Sequence, residues 1–367
     1  MKLGQIIVRR VRLPLVRPYR LSYRTFTEFE PIIVEARSSD GCVGWGEGHI
    51  SPGSSSETRE GGWAFCREHA ANIVGRNTQD AKSALVQSMA RSKVAATALL
   101  TAIEMLEGNA LLDVEEDVRL PLVTPLHGAE QEQIVSEVQE RLAEGFRTFK
   151  IKVGADVDAD LKRVAVIQAA VAGRAMLRID ANRGYSETDA CRFAAALDRS
   201  GIELFEQPCA AEDWAANAHV AKVSTVPLML DEPICELADI DRAGTMEGVA
   251  FCKLKLKRFG GLDRLREALE RVRAKGMEPV LGDGLSGDIG CWMEACVARK
   301  TIHNAGEFNG FLKPKISLFT EPLAFASGEL VLRRGFAPVI DRDVLNAHEV
   351  EVERFAPVIV AGASCAG

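Results

Sequence analysis

The sequence has no excess of positive charge: 45 Lys and Arg stand against 52 Asp and Glu, a net charge of −7. That balance argues against a nucleic-acid partner, whose phosphates call for a basic surface. The nine cysteines include no C-x-x-C pair and show no regular spacing. Several sit inside apolar runs, where a free thiol behaves as a small hydrophobe. Such usage fits a reducing cytoplasm and not a disulfide framework. No apolar run approaches the length of a membrane span. The start, MKLGQIIVRRVRLPL, has arginines where a signal peptide needs an unbroken apolar stretch. A cytoplasmic protein without a membrane partner is expected.

What is present is enough for a large core. The 367 residues are 47% hydrophobic and 26% charged, sufficient for one barrel of ordinary size plus a smaller domain. The first part reads as strands: GQIIVRRVRLPL alternates, and EPIIVEARSSDGCVGWGEG forms two β-rich runs around an Asp-Gly turn at Asp40 and Gly41. Residues 57–109 change to helical periodicity, and Gly108 with Asn109 marks a helix end.

From Arg119 apolar strands alternate with amphipathic helices. The strand-like runs are RLPLVTPL, FRTFKIKV, AMLRIDAN, ELFEQP, PLMLDEP, VAFCKLKL, EPVLGDGL and NAGEFNGF, with seven helical stretches between them. This alternation predicts an α/β fold, a (β/α)₈ barrel, over 119–315. An α+β domain precedes it over 1–118, and a C-terminal segment, 316–367, returns to pack on that domain. A doubly wound open sheet is the rival, but it would usually offer a Gly-rich phosphate loop after its first strand. TPLHGAEQEQ is not one. The G-x-G in GCVGWGEG opens no helix and so does not predict nucleotide binding.

Nearly every barrel strand ends in a charge: Lys152, Asp180, Glu206, Asp231, Lys255, Asp283 and Glu307, spaced 24 to 28 residues apart. One β/α unit separates each pair, and a barrel sets such positions side by side around its mouth. Three adjacent carboxylates there would repel and raise one another's pKa. A hard divalent cation resolves the repulsion, and an oxygen-only set with no His or Cys beside it points to Mg²⁺ and away from Zn²⁺. The bland alternative is that Asp180, Glu206 and Asp231 only pair with neighbouring lysines.

Lys150 and Lys152, two apart on one strand, share a face. A lysine of pKa about 10.4 is a poor base at neutral pH, so a neighbouring ammonium that depresses it has a chemical use. Lys255 stands across the ring, and two lysines facing each other can address both faces of one α-carbon.

FKIKVG at 149–154, RIDANRGYS at 178–186, FEQP at 205–208, LDEP at 230–233 and KLKRFGG at 255–261 resemble the signature runs of the enolase superfamily. The K-x-K at 150–152 is similar to its muconate-lactonizing branch. The resemblance covers essentially the whole chain, including the capping domain. It implies Mg²⁺ on Asp180, Glu206 and Asp231, and Lys152 and Lys255 as acid/base pair. It further implies Lys150 polarising a substrate carboxylate, an enediolate intermediate, a small anionic carboxylate substrate and a homo-oligomer.

Departures shape the substrate expectation. Branch members carry a Glu after strand seven where alignment puts Ser286; Asp283 lies nearby as a substrate-side group. Strand eight offers Glu307 and Asn309 in place of the D-x-D of dipeptide epimerases, which disfavours a dipeptide. EQPC at 206–209 and the D-x-x-x-G-D-I-like run at 283–289 resemble members acting on proline-like amino acids. Lys253 shares the parity of Lys255 at a position that is usually uncharged in the branch. Lid residues are expected at Arg17, Tyr19, Arg20, Tyr23 and Arg24, and in 50–57; His49, His127 and His303 read as structural. The expected reaction is racemisation, epimerisation or cycloisomerisation of an amino acid derivative or similar acid. A dehydrating lyase and an idle ligand-binding barrel are the alternatives.

Overall fold

The alternation near the start becomes strand Leu3–Val11, which pairs antiparallel with both Ile32–Ser38 and Glu349–Phe355. Val43–Gly48 completes this four-stranded sheet across the Asp40–Gly41 turn, where Gly41 has a φ of 95°. The computed structural model describes residues 1–20, 24–53 and 55–357, the side chain of Arg20 excepted. A second hairpin, Leu13–Arg20 with Thr25–Phe29, lies where the lid was expected. Helices Arg59–Ile73, Thr78–Ser88 and Lys93–Leu106 cover the sheet, and Val34, Ala70, Leu99 and Ile103 are among the residues buried between them. The last helix ends as the sequence indicates. Gly108 takes a φ of 71° and the N–H of Asn109 donates to the Glu104 carbonyl, a Schellman closure.

The barrel follows. Seven parallel strands run in chain order: Val123–Leu126, Thr148–Lys152, Met176–Asp180, Ile202–Glu206, Leu228–Leu230, Val249–Leu254 and Glu278–Leu281. The expected eighth strand is only a short link. The Gly306 carbonyl accepts the Val123 N–H at 3.0 Å and the Glu307 N–H donates to Leu281 at 2.8 Å, so residues 306–307 close the (β/α)₈ ring. RLPLVTPL divides: Val118–Pro121 pairs antiparallel with Glu329–Leu332 outside the barrel, and the barrel strand starts at Val123. Leu204, Met229 and Val280, backed by Phe251, fill the interior beneath the charged layer.

Among the described residues no helix is long and apolar enough to cross a membrane, and the described cysteines are free.

Candidate active site

Parity places the functional groups. Lys152, Asp180 and Glu206 are the last residues of the second, third and fourth barrel strands; Asp231 and Lys255 come directly after the fifth and sixth. Leu204 and Met229, two places before Glu206 and Asp231, are buried in the interior, so the terminal side chains share its axis. Lys152, Asp180, Glu206, Asp231, Lys255, Asp283 and Glu307 all line one cavity of about 180 Å³, as does Lys150. Tyr19, Ser55 and Glu57 close it from the capping side. The expected lid residue Tyr23 and the side chain of Arg20 lie outside the described residues, and Arg24 lies over the Phe26 ring.

The amines stand among the acids. Lys150 Nζ lies 2.8 Å from Asp180, 2.7 Å from Glu206 and 3.0 Å from Glu307. Burial disfavours its ammonium, yet the three carboxylates outweigh that cost and hold its pKa well above the ordinary lysine value. Lys152 Nζ donates to Asp180 Oδ2 and Asn182 Oδ1, both at 2.5 Å. Across the ring Lys255 Nζ donates to Asp231 Oδ2 at 2.9 Å, and Arg258 lies 3.0 Å from Oδ1 of the same carboxylate. Burial and Arg258 push the Lys255 pKa down, but Asp231, Asp283 and Glu232 prevail and raise it. Asp231 is buried, but Lys255, Arg258 and Lys253 bring its pKa well below the carboxylate range. Glu206 goes the other way: burial, with Asp180 adding to it, raises it to about 7 against the pull of Lys150 and Lys253.

Several partners escape a sequence reading. Lys253 is buried beneath the cavity, 2.5 Å from Glu307 and 3.9 Å from Glu206, and is absent from the cavity wall. Glu307, expected beside the substrate, is thus tied to Lys150 and Lys253, which lower its pKa despite burial. Asp283 pairs with Lys257 and accepts the Leu285 N–H at 2.9 Å. Ser286 stays out of the wall. Of the histidines, His49 is buried and its Nδ1 meets the Leu285 carbonyl at 2.7 Å, while burial lowers its pKa to about 4. His303 is exposed.

Among the described residues no three His, Cys, Asp or Glu side chains form a ready metal cluster, since the lysines stand between the acids. The donor chemistry nevertheless suits a hard cation. Both Glu206 oxygens and Asp231 Oδ1 are buried and accept no well-aligned hydrogen bond, although Lys150, Lys253 and Arg258 stand within ion-pair distance of them, and the donors are all oxygen.

A family model for the N-terminal domain of mandelate racemase / muconate lactonizing enzyme matches residues 4–124, and an enolase C-terminal domain-like model matches 133–343. The chain belongs to the mandelate racemase/muconate lactonizing enzyme family of the enolase superfamily. It is 30% identical to an L-Lys-D/L-Arg epimerase of Methylococcus capsulatus, over 77% of this chain and 82% of that one. It is 26% identical to muconate cycloisomerase 1 of Acinetobacter baylyi, over 92% and 96% of the two chains. The solved N-succinyl Arg/Lys racemase of Bacillus cereus superposes with a TM-score of 0.88 at 23% identity, covering 96% of this chain and 100% of that one. The superfamily's fold is therefore shared throughout, and with such relatives the chain is an isomerase of the enolase superfamily.

Proposed function

We propose that the protein is a Mg²⁺-dependent racemase or epimerase that inverts the α-carbon of a carboxylate-bearing amino acid derivative. One observation carries this reading. Lys152 and Lys255 come from the second and sixth barrel strands, line the same cavity, and each pairs with a different carboxylate, Asp180 or Asp231, of the intervening acidic trio. An α-carbon held between these amines has a proton acceptor on one face and a proton donor on the other.

In this reading Asp180, Glu206 and Asp231 hold the metal, and Mg²⁺, when bound, supplies positive charge that stabilises a substrate carboxylate as it becomes more anionic. Lys150 contributes a fixed ammonium beside the same position, kept charged by its three acidic neighbours. Lys253 fixes Glu307 from below, and Lys257 fixes Asp283 at the rim. Amines that stand against Asp180 and Asp231 must move aside for a cation, which frees them to face the substrate.

The test is a panel of carboxylates and acylated amino acids incubated with the Mg²⁺-loaded enzyme in D₂O, with deuterium at the α-carbon read by mass. Racemisation with exchange and no loss of water is expected. Exchange accompanied by loss of one water would replace the isomerase reading with a lyase.

A further inference from the structure

Helix Asp288–Thr301 is buried along nearly its whole length, and Glu294 sits in it at 1% exposure. A carboxyl group in such a place is unfavourable unless a partner offsets its lost hydration. Glu294 Oε1 accepts the Leu256 N–H at 2.9 Å, and Oε2 has no hydrogen-bond partner among the described residues.

Leu256 follows Lys255 directly and opens the one-turn helix Leu256–Phe259. A helix start leaves its first N–H groups without a partner inside the helix, and an oxygen-bearing side chain on the preceding residue often supplies one. Here the preceding residue is Lys255, whose side chain can only donate and is engaged with Asp231. The acceptor comes instead from Glu294, on a separate helix. The same turn carries Arg258, which lies 3.0 Å from Asp231 Oδ1, while Lys255 holds Oδ2 at 2.9 Å. Gly260 closes the turn with a φ of 81°, its N–H donating to the Leu256 carbonyl at 3.1 Å. One bond at the start of the turn thus fixes the backbone from which both cations reach Asp231. Without it the buried Leu256 amide would be unpaired, and the turn would shift to find another partner.

We propose that Glu294 is a positioning residue for Lys255, holding the backbone from which that amine is aimed at the α-carbon. Glu294 is itself absent from the cavity wall. Lys152 is set independently, on another strand, where its carbonyl accepts Arg163 Nη1 at 2.9 Å. The effect on turnover rests on the racemase reading; the hold on the turn does not.

Two readouts in Mg²⁺-loaded protein keep these apart: protection of the Leu256 amide from hydrogen exchange, and α-deuterium incorporation into each enantiomer of an active substrate. Glu294→Leu removes the acceptor. It should lose Leu256 protection and slow by about 10–100-fold the exchange of the enantiomer that Lys255→Ala fails to exchange, leaving the other at the wild-type rate. Burial, with Asp283 adding to it, raises the Glu294 pKa to about 8, so glutamine copies its neutral form and keeps an acceptor oxygen. Glu294→Gln should therefore retain both enantiomers. Unchanged Leu256 protection in Glu294→Leu, loss of both enantiomers or of neither, or a glutamine variant as impaired as the leucine one overturns the proposal. Should Glu294→Leu not fold, Leu256→Pro removes the same bond from the donor side. Proline suits this first helical position, after a Lys255 already extended at φ −139° and ψ 131°, and must give the same one-sided loss. If the wild type exchanges neither enantiomer the racemase reading fails, and Leu256 protection alone decides whether Glu294 holds the turn.

Discussion

The Glu47 carboxylate, on the sheet of the capping layer, accepts the backbone N–H of Gly290 in the barrel at 2.9 Å. It accepts the Gly287 N–H as well, so a capping side chain terminates helix Asp288–Thr301, whose preceding loop carries Asp283. Glu104 repeats the device at helix Leu262–Ala274, accepting the Leu262 N–H at 2.8 Å. Carboxyl oxygens at helix N-termini satisfy backbone N–H groups that have no partner within the helix, and here they also tie the cap to the barrel.

Glu47 makes stability depend on pH. Burial raises its pKa from 4.5 to about 7, against the two glycine N–H groups that favour the charged form. A raised folded-state pKa means that the folded protein binds the proton more tightly. The contribution is therefore full below pH 4.5 and is lost as pH rises through about 7, about 3 kcal/mol in all. Glu47→Gln should flatten the fall in thermal midpoint between pH 5 and pH 8. Wild type and variant with parallel pH profiles would contradict this account.

Barrel closure leaves no room at Gly282. Its φ is +106°, and a Cβ there would stand 2.4 Å from the Phe308 nitrogen and 2.6 Å from the Glu307 carbonyl carbon. Both neighbours are backbone, so they cannot swing away. Gly282→Ala should cost at least 1–3 kcal/mol, the usual range for overpacking, and lower the thermal midpoint by several degrees. An unchanged midpoint would show that the link at 306–307 is looser than described.

Much of this site is legible in the sequence because the barrel's own rules write it there. A charge ending an apolar run, repeated at the length of one β/α unit, has few explanations other than a ring at the mouth, and Asp180, Glu206 and Asp231 stand together as that spacing implies. What could not be read depends on contacts between distant segments. Lys253 and Lys255 have the same parity and both point inward; only the placement of Glu307 decides that one is sealed below and the other lines the cavity. Glu294 ends no strand, and its setting comes from Leu256, on a separate segment. The alternation of RLPLVTPL continues through Leu122, although the pairing partner changes there from Glu329–Leu332 to the barrel.

Metal binding by the acidic trio has a readout independent of turnover. A ligand that binds only the folded state raises the thermal midpoint. Mg²⁺ should raise it in the wild type, and Glu206→Gln, which retains the size of the side chain but halves its anionic oxygen supply, should lose most of that rise. An equal rise in both proteins would place the cation elsewhere.

In the proposed reaction Lys152 and Lys255 serve opposite faces of one α-carbon. The most direct measurement is α-deuterium incorporation from D₂O into each enantiomer of an active substrate by Lys152→Ala, Lys255→Ala and Lys253→Met. Each of the first two variants should exchange one enantiomer and not the other, while net racemisation falls by about 10²–10⁴-fold. Lys253→Met should exchange both, because Lys253 does not reach the cavity. Exchange of both enantiomers by Lys255→Ala, or the same one-sided loss in Lys253→Met, would contradict the account.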